Sequence, residues 1–124
     1  IGAGIVNCPG SGVLVITTEA DNQYIDAIIS EVYQEMDRMC NDLAPLEELE
    51  MVRSYMLGDF CRSYEGPFSL SEAWLYCETA DLDEDFFVRS LDAIRSVTAE
   101  EIRTLAQRYL CKEKLIEVVA GKKV

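Results

Sequence analysis

A chain of 124 residues carrying 11 Lys and Arg against 23 Asp and Glu has a formal charge of −12 and no histidine. That balance excludes a basic nucleic-acid face and disfavours anionic membrane surfaces, because phosphate contacts need Lys and Arg. Without imidazole, neither an H-x-x-E-H zinc site nor a Ser–His or Cys–His nucleophile pair is available within these residues.

Residues Ile1 to Val6 are apolar and interrupted by glycine, and Asn7-Cys8-Pro9-Gly10-Ser11-Gly12 is a dense turn signal. Gly12 to Glu19 (GVLVITTE) is β-branched and apolar, which reads as a strand. The pair suggests a hairpin with a loop longer than two residues.

Asp21-Asn22 is placed to cap the first helix. Ile25, Ile28, Ile29, Val32, Met36 and Met39 keep the three-and-four spacing of one helical face, and the pattern ends near Asp42. Pro45 suits the first turn of a second helix, with Glu47 and Glu48 at its positive end. Leu49, Val52, Met56 and Phe60 form its expected apolar stripe. Gly66-Pro67 reads as a break, so the third helix is expected to start near Ser69 or Ser71, with Trp74 in the core. After Asp81-Leu82-Asp83, the residues Phe86, Phe87, Leu91 and Ile94 mark a short fourth helix. Thr98-Ala99-Glu100-Glu101 has the form of a capping box ahead of Ile102, Leu105, Ala106 and Tyr109. Leu115 to Ala120 (LIEVVA) reads as a closing strand.

Two strands, five helices and a last strand imply an α+β fold: a small antiparallel sheet of about three strands with the helices on one face. So thin a sheet expects its remaining strands from outside the chain. Residues 1–124 read as one partial domain.

The motifs of a kind that carries chemistry are incomplete. Gly2-x-Gly4 and Gly10-x-Gly12 do not extend to a phosphate-binding fingerprint, and read as turns. Asp81-x-Asp83-x-Asp85 opens like a calcium loop, but Phe86 and Asp92 stand where that loop needs Gly and Glu. Glu47, Glu48 and Glu50 point apart on a helix, which argues against a carboxylate pair. Five cysteines, Cys8, Cys40, Cys61, Cys77 and Cys111, form no C-x-x-C pair. Cys40, Cys61 and Cys77 fall in helical patterns as small hydrophobes, and a reducing compartment is favoured. No catalytic, cofactor-binding or metal-binding residue is therefore assigned.

Taken in order, GVLVITTEAD, YIDAIISEVYQEMDRM, LAPLEELEMVRSYMLGDFCRSYE, SLSEAWLY, LDAIRSVTAEEIRTLAQRYL and LIEVVAG resemble the back half of a domain of the insulinase-like (pitrilysin) zinc peptidases, the inverzincin group. The resemblance implies an α+β sandwich whose domains pair to enclose a peptide chamber. The zinc ligands of such proteins lie in the front half of a domain, so none carries over here. An Arg and a Tyr that hold substrate would precede a glycine-containing strand like Ile1-Gly2-Ala3-Gly4, which favours the non-catalytic second domain. The implied function is a chamber wall supporting peptide binding in a zinc endopeptidase or its inactive partner subunit. The alternative is an interaction module that kept the fold without the activity. Implied partners are another peptidase domain or a partner subunit, with the peptide substrate. Zinc is expected in the parent or the partner, not in this chain. A homodimer through the exposed sheet edge is a further expectation.

Overall fold

The computed structural model describes residues 1–8 and 10–121. It is an α+β chain with the order β1 (Gly2–Cys8), β2 (Ser11–Thr17), α1 (Ile25–Asn41), α2 (Leu46–Ser63), α3 (Pro67–Thr79), α4 (Phe86–Ser96) and α5 (Ala99–Tyr109). Short 3₁₀ turns at Asn22–Tyr24 and Lys112–Lys114 precede α1 and follow α5. Contacts gather into two units. The first is Ile1–Asp37 with the described residues from Cys111 onward, and the second is Arg38–Leu110.

In the first unit, β1 and β2 pair antiparallel from Gly2–Thr17 to Cys8–Ser11. Only positions 9 and 10 lie between the last paired residues, so the loop is shorter than the sequence suggests. Pro9, part of the turn signal, lies outside the described residues. Gly10 has φ +77°, which L side chains adopt only with strain, so a glycine here lets the turn close tightly. Gly2, Gly4 and Gly12 sit in the ladder, not in a loop that cradles phosphate.

The expected third strand is not formed as a strand. Residues 115–120 have no ladder partner among the described residues, where the sheet has two strands. β-branched composition favours an extended backbone, but a strand also needs a neighbour to bond, and that neighbour is not a local property. The segment is held along α1 instead. Lys112 Nζ pairs with the Asp37 carboxylate. The Tyr33 hydroxyl donates to Glu117 Oε1 at 2.5 Å. A Cβ placed on Gly121 would stand 3.3 Å from Asn22 Oδ1. Rising numbers on the segment meet falling numbers before and along α1, so the two run antiparallel.

The first helix starts at Ile25, after the 3₁₀ turn, and Asp21 makes no side-chain cap bond. Ile25, Ile28, Ile29 and Val32 are half-buried and Met36 is buried, as the spacing implies, whereas Met39 is exposed.

In the second unit, Pro45 is the N-cap of α2 and not part of its first turn; its carbonyl accepts from the Leu49 amide at 3.0 Å. The inward stripe of α2 is Leu49, Arg53, Leu57 and Phe60, while Val52 and Met56 are exposed. Pro67 does not break α3 but begins it. The missing N–H belongs to a turn whose amides have no helical partner, and the fixed φ already suits a helix.

Asp81, at φ +53°, ends α3, and the Leu82 amide reaches back to the Cys77 carbonyl at 2.9 Å. This closes the helix in a Schellman turn. Thr98 and Glu101 form both halves of the capping box: the Thr98 hydroxyl accepts from the Glu101 amide at 3.2 Å, and the Thr98 amide donates to the Glu101 carboxylate at 2.8 Å.

Leu49, Ala73, Cys77 and Ala106 are buried. Beside them an aromatic chain crosses three helices: Phe60 to Tyr64 at 4.7 Å, Tyr64 to Phe87 at 4.9 Å and Phe86 to Tyr76 at 6.2 Å between ring centroids. Trp74, expected in the core, is 56% exposed, and Cys61 is exposed as well.

Candidate functional site

The first unit holds an apolar groove of ≈ 580 Å³. Its floor is Ile25, Ile28, Ile29, Val32 and Tyr33, the helical stripe of α1. Its two walls are residues 13–20, most of β2 and its continuation, and residues 115–120. Every consecutive residue of both walls touches the space. Side chains along an extended chain alternate between faces, so walls of this kind present backbone edges as well as side chains. β1 already occupies one edge of β2. The other edge of β2, and the backbone of 116–120, which has no ladder partner among the described residues, bring backbone polar groups to the groove beside the side chains of Thr17, Thr18, Glu19, Tyr33 and Glu117.

Among the described residues, the carboxylates in this lining are Glu19 and Glu117, and none of the lining residues is Lys or Arg. Glu117 accepts from Tyr33, and that hydrogen bond, ahead of burial and the nearby charge, raises the Tyr33 hydroxyl above its usual 10.0. Next to the segment, Cys111 Sγ lies 3.2 Å from Glu113 Oε2. The thiol donates to the carboxylate, which holds the Cys111 pKa up; the Glu113 pKa is lowered by its own backbone amide and then by the thiol. A raised thiol is a poor nucleophile, so Cys111 has no activated character.

A second cavity of ≈ 260 Å³ lies in the helical unit, between Phe60, Tyr64, Ala73, Trp74, Leu82 and Phe87 among others. Burial, then the neighbouring Cys77 and Tyr76, raises the Tyr64 hydroxyl. The lining is aromatic and aliphatic, with Glu78 and Glu84 at hand. It is a packing gap next to the aromatic chain, with no converging acid–base pair.

The sequence candidates fall in separate places. Asp83 is paired with Arg89 at 2.8 Å, and that partner holds the Asp83 carboxyl below its usual 3.8. Glu47 and Glu48 occupy the first turn of α2, and Glu50 pairs with Arg53 one turn on. No group of three His, Cys, Asp or Glu among the described residues is positioned to hold a metal. No helix among the described residues is long and apolar enough to cross a membrane.

Sequence reasoning missed two features. Arg53 stands at a core position of α2, where its guanidinium donates to the carbonyls of Ile94 and Val97 at 3.1 and 2.6 Å. Its four-residue spacing from Leu49 marks the inward face, but a charge there reads as solvent-facing. The groove was also hidden, because it depends on where β2, α1 and 115–120 meet. No protein-family model, curated protein or solved structure matches this chain.

Proposed function

We propose that this chain is a non-catalytic wall segment of a zinc-dependent endopeptidase, or of the inactive partner subunit of one, that helps enclose a peptide substrate. The observation that carries the proposal is the small sheet: among the described residues, two strands, a segment 115–120 without a ladder partner and an apolar helix stripe surround one open groove. A two-stranded hairpin is marginal in water without more strands or a packed face. Here every residue of β1 is exposed. Such a piece works inside a larger assembly. Its lack of histidine supports a reading in which any zinc is held by another part of that assembly. The order of segments that resembles the insulinase-like back half supplies the reaction class.

The test is to isolate the assembly through this chain from its native cell and to assay cleavage of unfolded peptides with and without a zinc chelator. Chelator-sensitive endopeptidase activity that travels with the chain is expected. An assembly that is stable and binds peptides, yet cleaves none in the presence of zinc, would replace this reading with that of an interaction module.

A further inference from the structure

We infer that the cavity in the helical unit binds a methylated ammonium group, of the kind carried by choline or by a trimethylated lysine side chain. The inference goes beyond the proposed function and stands without it, because it needs only the cavity and the groups that line it. The cavity holds no acid–base pair, so what it offers is recognition and not chemistry.

Four rings line the space: Phe60 from α2, Tyr64 at the end of that helix, Trp74 from α3 and Phe87 from α4. The lining runs from Ala73 and Cys77, which are buried, to Trp74, which is exposed. A volume of ≈ 260 Å³ falls just below the range of about 300–1,000 Å³ for drug-sized ligands, and suits a small head group.

The face of an aromatic ring carries negative potential, and rings gathered around one space recognise quaternary ammonium ions through it. Trp is the strongest ring type for this contact. Trp74 makes no ring–ring contact among the described residues. The chain's own cations also leave these four rings open. Among the described residues, the cation–π pairs are Arg108 with Tyr109 and Lys112 with Tyr33.

Charge selects a cation over a neutral apolar guest. Glu78 and Glu84 line the same cavity, and none of the described lining residues is Lys or Arg. Trp74 and Glu78 are four apart on α3, so they share one face of the helix. Neither carboxylate has a Lys or Arg partner among the described residues, and Arg89, near in sequence, is engaged by Asp83. Methylation then selects among cations. Rings are poor acceptors for N–H donors, so a bare ammonium entering here loses hydration that methyl groups do not need.

The experiment is titration of the whole chain with choline, followed by the fluorescence of Trp74, the one tryptophan of the chain, and by calorimetry. The controls are the uncharged analogue of choline with carbon in place of nitrogen, and ammonium chloride at equal ionic strength. Choline should change the fluorescence and bind at least about tenfold more tightly than either control. By calorimetry, Trp74→Leu should weaken binding by about tenfold as well. Glu78→Gln with Glu84→Gln should weaken it and flatten its dependence on salt. All three side chains are exposed, so the helical circular dichroism signal should stay unchanged. A peptide with trimethylated lysine, titrated beside its unmethylated form, distinguishes the source: the tighter of choline and peptide identifies it. Equal binding of choline and its uncharged analogue would overturn the inference, since the cavity would then be an apolar gap. Equal binding of choline and ammonium would also overturn it, leaving only attraction to the net charge. Binding of neither choline nor the methylated peptide would overturn it outright. These comparisons use wild type, so they stand even if a variant fails to fold.

Discussion

Arg53 Nη2 donates to the Val97 carbonyl at 2.6 Å, which ties the middle of α2 to the turn between α4 and α5. The same guanidinium reaches Ile94 O at 3.1 Å and the Glu50 carboxylate. Its side chain is only 16% exposed. The last carbonyls of α4 have no helical donor, and a cation at that end also meets the negative pole of the helix. Arg53→Met keeps the aliphatic stem and removes the donors. Urea unfolding should show a loss of about 2 kcal/mol, the scale of hydrogen bonds to a charged group. Arg53→Lys should recover less than half, because an ammonium lacks the planar fork that serves two carbonyls. A change within error for Arg53→Met would show the α4–α5 turn to be held by packing alone.

The Asp83–Arg89 pair sets a small acid dependence. Arg89 lowers the folded-state pKa of Asp83 below 3.8. The stabilisation is therefore present above that value and is lost as pH falls through the lower folded value. Arg89→Gln should flatten the part of the stability curve below about pH 4, and salt should weaken the wild-type effect because both groups are exposed. Thermal melts at low and high ionic strength check this. An acid limb unchanged by Arg89→Gln would rule the pair out.

Tyr33 and Glu117 tether the extended segment to α1. Tyr33→Phe should speed amide exchange in residues 115–120 while the α2–α5 amides stay protected. The Tyr33 pKa is raised above 10.0 by this bond, so its contribution is present below pH 10 and lost as pH rises through the folded value. Absorbance titration near 295 nm should show Tyr33 and Tyr64 both ionising late in wild type, and Tyr64 alone in Glu117→Gln. Equal exchange in wild type and Tyr33→Phe would show that this hydrogen bond does not hold the segment.

The helices were largely legible because their signals are local. The α1 stripe and the Thr98–Glu101 box place backbone and side chain within one or two turns of each other. Pro67 misled because one residue type both ends and begins helices, and only the chain that follows decides. Leu115 to Ala120 was read as a closing strand, but it has no ladder partner among the described residues, since a ladder depends on a neighbour distant in sequence. Val52 and Met56 were placed inward by hydrophobicity alone. Both are exposed, and Arg53 takes the inward position, where its guanidinium meets the carbonyls of Ile94 and Val97. The groove depends on the meeting of three segments, which no local pattern encodes.

The central claim is that this chain supports peptide cleavage without housing the metal. Elemental analysis of the purified chain, beside a peptide-cleavage assay of the same sample and of the assembly isolated through it, tests that claim most directly. The chain alone should carry no stoichiometric zinc and cleave nothing, and the assembly should contain zinc and lose cleavage to a chelator. Stoichiometric zinc in the isolated chain, or cleavage by it alone, would contradict the account.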